Sequence, residues 1–134
     1  MRIKIAILGS TGSIGKSLLK LVSKDKNKYE IVLLTANNNY KLLLSQAKKF
    51  NVKNIVINNK NSFINAKYLK KSKIKIFNNF ENFKYIFTKK IDYVMSAIVG
   101  LDGLQPTYNI IPYTKKIAIA NKETIICGWN IIKK

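Results

Sequence analysis

The sequence predicts an α/β protein built on a doubly wound parallel sheet in one three-layer domain, and three observations carry that prediction. Short apolar runs alternate with helical patterns from one end of the chain to the other. The opening run shows no polar/apolar alternation, as expected of a parallel strand covered by helices on both faces. It then breaks into three glycines spaced three apart and into a helical pattern, the arrangement of a nucleotide cradle.

The elements follow in order. Ile3 to Leu8 reads as the first strand, left through Gly9-Ser10-Thr11-Gly12-Ser13-Ile14-Gly15. Gly9 permits a tight exit, Gly12 lets the backbone come close to a pyrophosphate, and Gly15 lets the following helix pack on the strand. Phosphates would meet free N–H groups at a helix N-terminus, where the dipole also favours negative charge. Ile14, Leu18, Leu21 and Val22 share the expected buried face of that helix. The spacing, Gly-x-x-Gly-x-x-Gly, is a variant of the dinucleotide fingerprint Gly-x-Gly-x-x-Gly.

Ile31 to Thr35 is the second buried strand, and Tyr40 to Phe50 a helix with Leu43, Ala47 and Phe50 on one face. Between them lies Thr35-Ala36-Asn37-Asn38-Asn39, where dinucleotide folds place the group that reads the adenosine ribose. No acid stands there to select NAD, and amide donors with nearby Lys41 suit a 2′-phosphate, so NADP is favoured. Asn39 also suits a helix N-cap, a role compatible with binding.

The middle of the chain repeats the alternation: strand Asn54 to Ile57, a weak helix around Phe63 to Leu69, strand Ile74 to Phe77, and a helix carrying Phe80, Phe83 and Phe87. Those phenylalanines recur at helical spacing and are expected in the core rather than as a stacking surface for bases. Strand five, Asp92 to Ala97, leads into a loop from Ile98 to Thr107 that contains Gly100 and Gly103. A helix through Tyr108 to Ile111 follows, with Pro106 in its first turn. The carboxyl end of such a strand is where these folds bind ligands. Strand six, Ile117 to Ala120, stops at Asn121-Lys122-Glu123, and a last helix runs toward Lys134. Asn121 suits the N-cap of that helix and Glu123 its first turn, whereas Lys122 has no structural role there.

A length of 134 residues fits one domain, and 47% apolar residues suffice for a real core. Neither a membrane span nor a signal peptide is visible, which places the protein in the cytoplasm as an expectation. The net charge of +19 invites a nucleic-acid reading. Composition argues against it: 24 Lys, 21 Ile and 16 Asn, with a single Arg, have codons rich in A and T, and bidentate readout favours Arg. The lysines are also spread along the chain rather than clustered. Cys127 stands alone, so no intramolecular disulfide or cysteine-built zinc site is expected. With no histidine, the commonest general base and metal ligand is missing.

With these motifs in hand, the chain resembles the N-terminal, Rossmann-like NADPH-binding domain of the 1-deoxy-D-xylulose 5-phosphate reductoisomerase family. Gly9 to Gly15 resembles that family's opening loop, and Ala97-Ile98-Val99-Gly100 with Gly103-Leu104 and Pro106-Thr107 its second cofactor loop. Ala118 to Thr124 resembles its third motif, and the likeness runs over all 134 residues. The resemblance implies that Thr11, Gly12, Ser13 and Ile14 cradle the cofactor phosphates and that Asn37, Asn38 and Asn39 face the 2′-phosphate. It implies too that Asn121 and Glu123 contact NADPH and that Lys122 reaches toward a sugar-phosphate substrate. Asn38 stands where the family usually carries a lysine, which weakens the phosphate grip unless Lys41 substitutes. The family's Mg²⁺ or Mn²⁺ ligands lie beyond the last residue here, and the six acids form no pair at metal-binding spacing. The chain therefore reads as roughly the first third of a longer, homodimeric enzyme, able to hold cofactor and unable by itself to turn over.

Three rivals are weaker. A short-chain dehydrogenase would use Ser72, Tyr85 and Lys89, but its triad should follow strand five rather than precede it. A semialdehyde dehydrogenase would need Cys127 as nucleophile, with no histidine to activate it. A basic Rossmann-like nucleic-acid module would bind DNA in a salt-dependent way.

Overall fold

The computed structural model describes every residue except 71, 72, 82 and 134. Its strands are β1 (Ile3–Leu8), β2 (Tyr29–Ala36), β3 (Asn54–Ile57), β4 (Lys75–Phe77), β5 (Ile91–Ser96) and β6 (Thr114–Ile119). Its α-helices are α1 (Ser13–Ser23), α2 (Tyr40–Lys49), α3 (Lys60–Leu69), α4 (Phe83–Ile86), α5 (Leu104–Ile110) and α6 (Lys122–Ile132). The strands form one sheet in the order β4-β3-β2-β1-β5-β6, with every neighbouring pair parallel. The strand order reverses direction between β1 and β5, so a crevice opens beyond their carboxyl ends.

Two apolar clusters sandwich the sheet. Ile5 and Ile7 of β1 pack with Leu19 and Val22 of α1, Leu43 and Ala47 of α2, and Ala66 of α3. Ala6 and Leu8, which alternate with them, point to the opposite cluster, beside Phe83, Phe87 and Ile110. Helices thus cover both faces, giving the expected three layers. The pairing of β1 with β2 shifts register between Ile5 and Ala6, where Val32 is the extra residue: Ile5 lies opposite Ile31 and Ala6 opposite Leu33. That bulge resets the alternation of β2, so Leu34 returns to the first cluster with its partner Ile7.

Several expected boundaries and faces shift. The buried face of α1 is Gly15, Leu19 and Val22 with Leu18 half-buried, while Ile14 and Leu21 are exposed. Both sets obey a 3.6-residue period, and contact with the sheet chooses between them. On α2 the buried residues are Leu43, Gln46 and Ala47, with Phe50 at the helix end. The aromatic helix shrinks to the single turn α4, leaving Phe80 before it and Phe87 after it. Ring packing rather than helical repetition unites these residues, since Phe83 lies 6.3 Å from Phe80, 6.1 Å from Phe87 and 6.5 Å from Tyr113. β6 begins at Thr114, earlier than expected, because an edge strand tolerates exposed Lys115 and Lys116.

Candidate functional site

The cradle is built from the end of β1 upward. Gly9 has φ +85°, which favours glycine, and a Cβ there would come within 2.9 Å of the Ala97 carbonyl of the neighbouring strand end. At Gly15 a Cβ would fall 2.5 Å from the Gly9 oxygen and the Ser10 Cα, so α1 can sit on the loop only through a bare backbone. Gly12 differs from both. Its φ is −80°, and a Cβ would meet only the Gly9 oxygen, at 3.7 Å. The fold does not require glycine at that position.

α1 begins at Gly12 with no side-chain cap and no acid in its first turn. Ser13 and Ile14 are exposed there. The first N–H groups of α1 therefore face outward without a side-chain acceptor, a ready place for an anion. By contrast α2, α3 and α6 are capped by Asn39, Asn59 and Asn121.

A pocket of about 260 Å³ opens beside this helix end. Gly9, Thr11 and Gly12 line it from the first loop, Thr35, Ala36 and Asn37 from the end of β2, and Ala97, Ile98, Val99 and Asp102 from the segment after β5. Asn58 and Phe80 complete the wall. Sequence reasoning missed these two as lining residues. Asn58 directly follows the carboxyl end of β3, which was the available signal, and half-buried Phe80 both joins the core and faces the pocket. Asn38 and Asn39 stand exposed beside Asn37, where the Asn38 carbonyl accepts from the Tyr40 N–H at 2.8 Å and Asn39 Oδ1 accepts from the Leu42 N–H at 3.4 Å.

A second cleft, of about 240 Å³, shares Ala97, Ile98 and Val99 with the first. Ile14, Asn121, Lys122 and Glu123 line it. Exposed Ile14 thus becomes part of a cleft wall rather than of the core. All three sequence motifs meet around the end of β5, although more than a hundred positions of chain separate the first from the third.

Asn121 does the joining. Its Oδ1 accepts from the Glu123 N–H at 2.9 Å and the Thr124 N–H at 3.2 Å, capping α6. Its Nδ2 donates to the carbonyls of Ile98 and Gly100, which fixes the second loop against the start of α6. Both amide protons and both acceptor lone pairs are thereby engaged. Gly103 makes room for this, since a Cβ there would come within 2.8 Å of both Nδ2 and the Ile98 oxygen. Below the loop, the hydroxyls of Ser96 and Thr107 are 2.5 Å apart, and Thr107 donates to the Gly103 carbonyl at 2.6 Å.

Among the described residues the perturbed carboxylate lies away from these clefts. Asp92, at the amino end of β5, accepts from the Lys4 backbone N–H at 2.9 Å and the Lys115 ammonium at 3.2 Å. Those two bonds, the backbone one first, hold its carboxyl below the usual range.

Comparison with known proteins follows the same geometry. The family model described as 1-deoxy-D-xylulose 5-phosphate reductoisomerase matches residues 5–128. This chain belongs to that family. The reductoisomerase of Pelagibacter ubique is 60% identical over 98% of the chain, which covers 34% of that relative. A structure of the Zymomonas mobilis reductoisomerase in complex with NADPH is similar at TM-score 0.88 and 32% identity, over 98% of this chain and 35% of that one. A further reductoisomerase, solved with NADPH, fosmidomycin and magnesium, is similar at TM-score 0.88 and 29% identity. The chain spans about a third of the length of the curated relatives it matches.

Family membership displaces the rival readings, and the geometry supplies the reasons. Lys89 lies just before β5, at the end of the sheet opposite the clefts, and Tyr85 is 69% exposed on α4. Ser72, the third member of that hypothetical triad, lies outside the described residues. Cys127 is exposed on α6 and lines neither cleft. Among the described residues no helix is long and apolar enough to cross a membrane.

Proposed function

We propose that this chain is the NADPH-binding part of a 1-deoxy-D-xylulose 5-phosphate reductoisomerase, the enzyme that makes 2-C-methyl-D-erythritol 4-phosphate in non-mevalonate isoprenoid biosynthesis. Gly12 carries the reading: neither backbone angle nor packing demands glycine there, so the missing side chain serves something that approaches from outside the chain. The uncapped start of α1 beside the 260 Å³ pocket supports it, as does the NADPH bound by the similar Zymomonas protein.

In this reading Thr11, Gly12, Ser13 and Ile14 hold the pyrophosphate against the first N–H groups of α1. Asn37, Asn38 and Asn39 offer amide donors to the adenosine 2′-phosphate, with Lys41 as the nearby cation. Asn121 and Glu123 bound the cofactor from the second cleft; because the Asn121 amide is fully engaged, it acts by holding the Ile98 to Gly100 backbone in place. Lys122, exposed at the rim of that cleft, reaches toward the phosphate-bearing substrate. Bound here, NADPH would supply the hydride that reduces the rearranged aldehyde.

The divalent ion of the family does not fit the described residues: no three His, Cys, Asp or Glu side chains come together as a metal-holding group. The chain by itself should therefore bind NADPH without oxidising it in the presence of 1-deoxy-D-xylulose 5-phosphate and Mg²⁺. Parallel calorimetric titration with NADPH and NADH, and absorbance at 340 nm in the complete mixture, tests both parts. NADPH should bind about tenfold or more tightly than NADH, a difference of about 1.4 kcal/mol. Equal affinities would remove the asparagine tip from the site, and chelator-sensitive turnover would show a metal site in this chain.

A further inference from the structure

Of the cradle's side chains only that of Ser10 is fully buried, and it lines neither cleft. Its hydroxyl donates to Gln46 Oε1 at 2.8 Å, and Gln46 Nε2 donates back to the Ser10 carbonyl at 3.0 Å. The two bonds form a closed ring between α2 and the loop. They also dictate the orientation of the Gln46 amide, because only Nε2 has protons to give the carbonyl. From the other side Thr35 accepts the Gly9 N–H on Oγ1 at 3.0 Å and the Ser10 N–H on its carbonyl at 2.9 Å. The polar groups on the hidden side of the loop are thus satisfied by Thr35 and Gln46, while the Gly12 N–H donates within the loop to the Gly9 carbonyl at 3.4 Å.

Gln46 sits on the buried face of α2 among Leu43 and Ala47, where an apolar residue would serve packing as well. A buried amide costs free energy unless it is bonded, and here both of its bonds go to one residue of the cradle. The same helix starts at Asn39, at the tip expected to read the 2′-phosphate. Asn39 and Gln46 are seven positions apart along the helix, a rigid span of about 10 Å.

We infer that Gln46 is a positioning residue for the dinucleotide. Through Ser10 it holds the pyrophosphate loop at a set distance from the asparagine tip, and α2 acts as the ruler between the two anion-binding points. This rests on the cofactor reading above, and the test separates the two.

The experiment compares the wild-type chain with Gln46→Leu, which removes both bonds, and Gln46→Glu, which keeps the acceptor for Ser10 Oγ but loses the donor to the Ser10 carbonyl. Two probes are titrated: NADPH, which spans both anion points, and adenosine 2′-monophosphate, which needs only the tip. Gln46→Leu should weaken NADPH about tenfold or more and change the monophosphate less than about twofold, with Gln46→Glu in the same direction. In the ligand-free chain, NMR amide signals of Gly9, Gly12 and Gly15 should move in both variants, while those of Gly103 and Gly128 stay in place.

Unchanged NADPH affinity in a folded variant, or equal losses for both probes, would overturn the proposal. So would unmoved loop glycines. If the wild type itself binds no NADPH, the cofactor reading fails, and the glycine signals still decide whether Gln46 holds the loop.

Discussion

Two helix starts face the same crevice, and the sequence treats them in opposite ways. α1 begins at a glycine with no capping side chain, so its first N–H groups remain unbonded to side chains. α6 begins at Asn121, whose amide caps the helix and holds the neighbouring loop at once. A helix end left open beside a pocket is prepared for an anion, whereas a helix end closed by its own chain is a joint. A motif residue can thus be fully spent on holding its own chain together, as the Asn121 amide is.

The sharpest way to break this comparison is Gly12→Val. Its Cβ has room, so the thermal unfolding midpoint should stay within a few degrees of wild type, yet NADPH affinity should fall at least about 100-fold. Gly9→Ala is the contrasting control, because a positive φ and the Ala97 carbonyl make the fold itself resist it. Normal binding by Gly12→Val in calorimetry would displace the pyrophosphate from this loop.

At the other helix, Asn121→Ala should act first on stability. It removes a cap worth about 1 kcal/mol and leaves the Ile98 and Gly100 carbonyls without their donor, for a total loss of about 2–4 kcal/mol in urea unfolding. Asn121→Asp keeps the acceptor and loses the donors, so it should retain the cap and release the loop. If Asn121→Ala instead lowered NADPH affinity with stability intact, the joint would be a direct ligand contact.

A smaller effect is expected at the asparagine tip. Asn38→Lys adds a cation beside the proposed 2′-phosphate position and should tighten NADPH several-fold, by about 1 kcal/mol, while leaving NADH unchanged. Equal tightening of both would mean that the added charge acts on the pyrophosphate.

The smallest effect lies farthest from both helix starts. Asp92 has a lowered folded-state pKa, so its contribution to stability is full above the unfolded carboxylate value and disappears as pH falls through the folded one. Asp92→Asn should therefore be slightly less stable than wild type near neutral pH, and the gap should close in acid, as followed by thermal unfolding at several pH values. NADPH affinity should not change, because this carboxylate sits at the opposite end of the sheet.

Local pattern alone determined a good deal of this protein. The glycine spacing after an apolar run located the turn from β1 into α1, the apolar runs placed all six strands within a few residues, and asparagines at helix starts predicted two of the three side-chain caps among the described residues. These features are legible because turn chemistry, burial and capping depend on residues close in sequence. Tertiary structure decided what depends on distant partners. Whether Ile14 or Leu19 of α1 turned inward was set by the sheet beneath it, since both choices satisfy the helical period. The aromatic segment became one turn, with Phe87 set against the ring of Tyr113 from a distant part of the chain. Gln46 reads as an ordinary polar residue until Ser10, thirty-six positions away, is placed against it. Asn121 likewise reads as a cap, and only the folded chain brings the carbonyls of Ile98 and Gly100 to its second face. A hydrogen bond between segments far apart in sequence leaves no periodic trace, so chain folding alone discloses it.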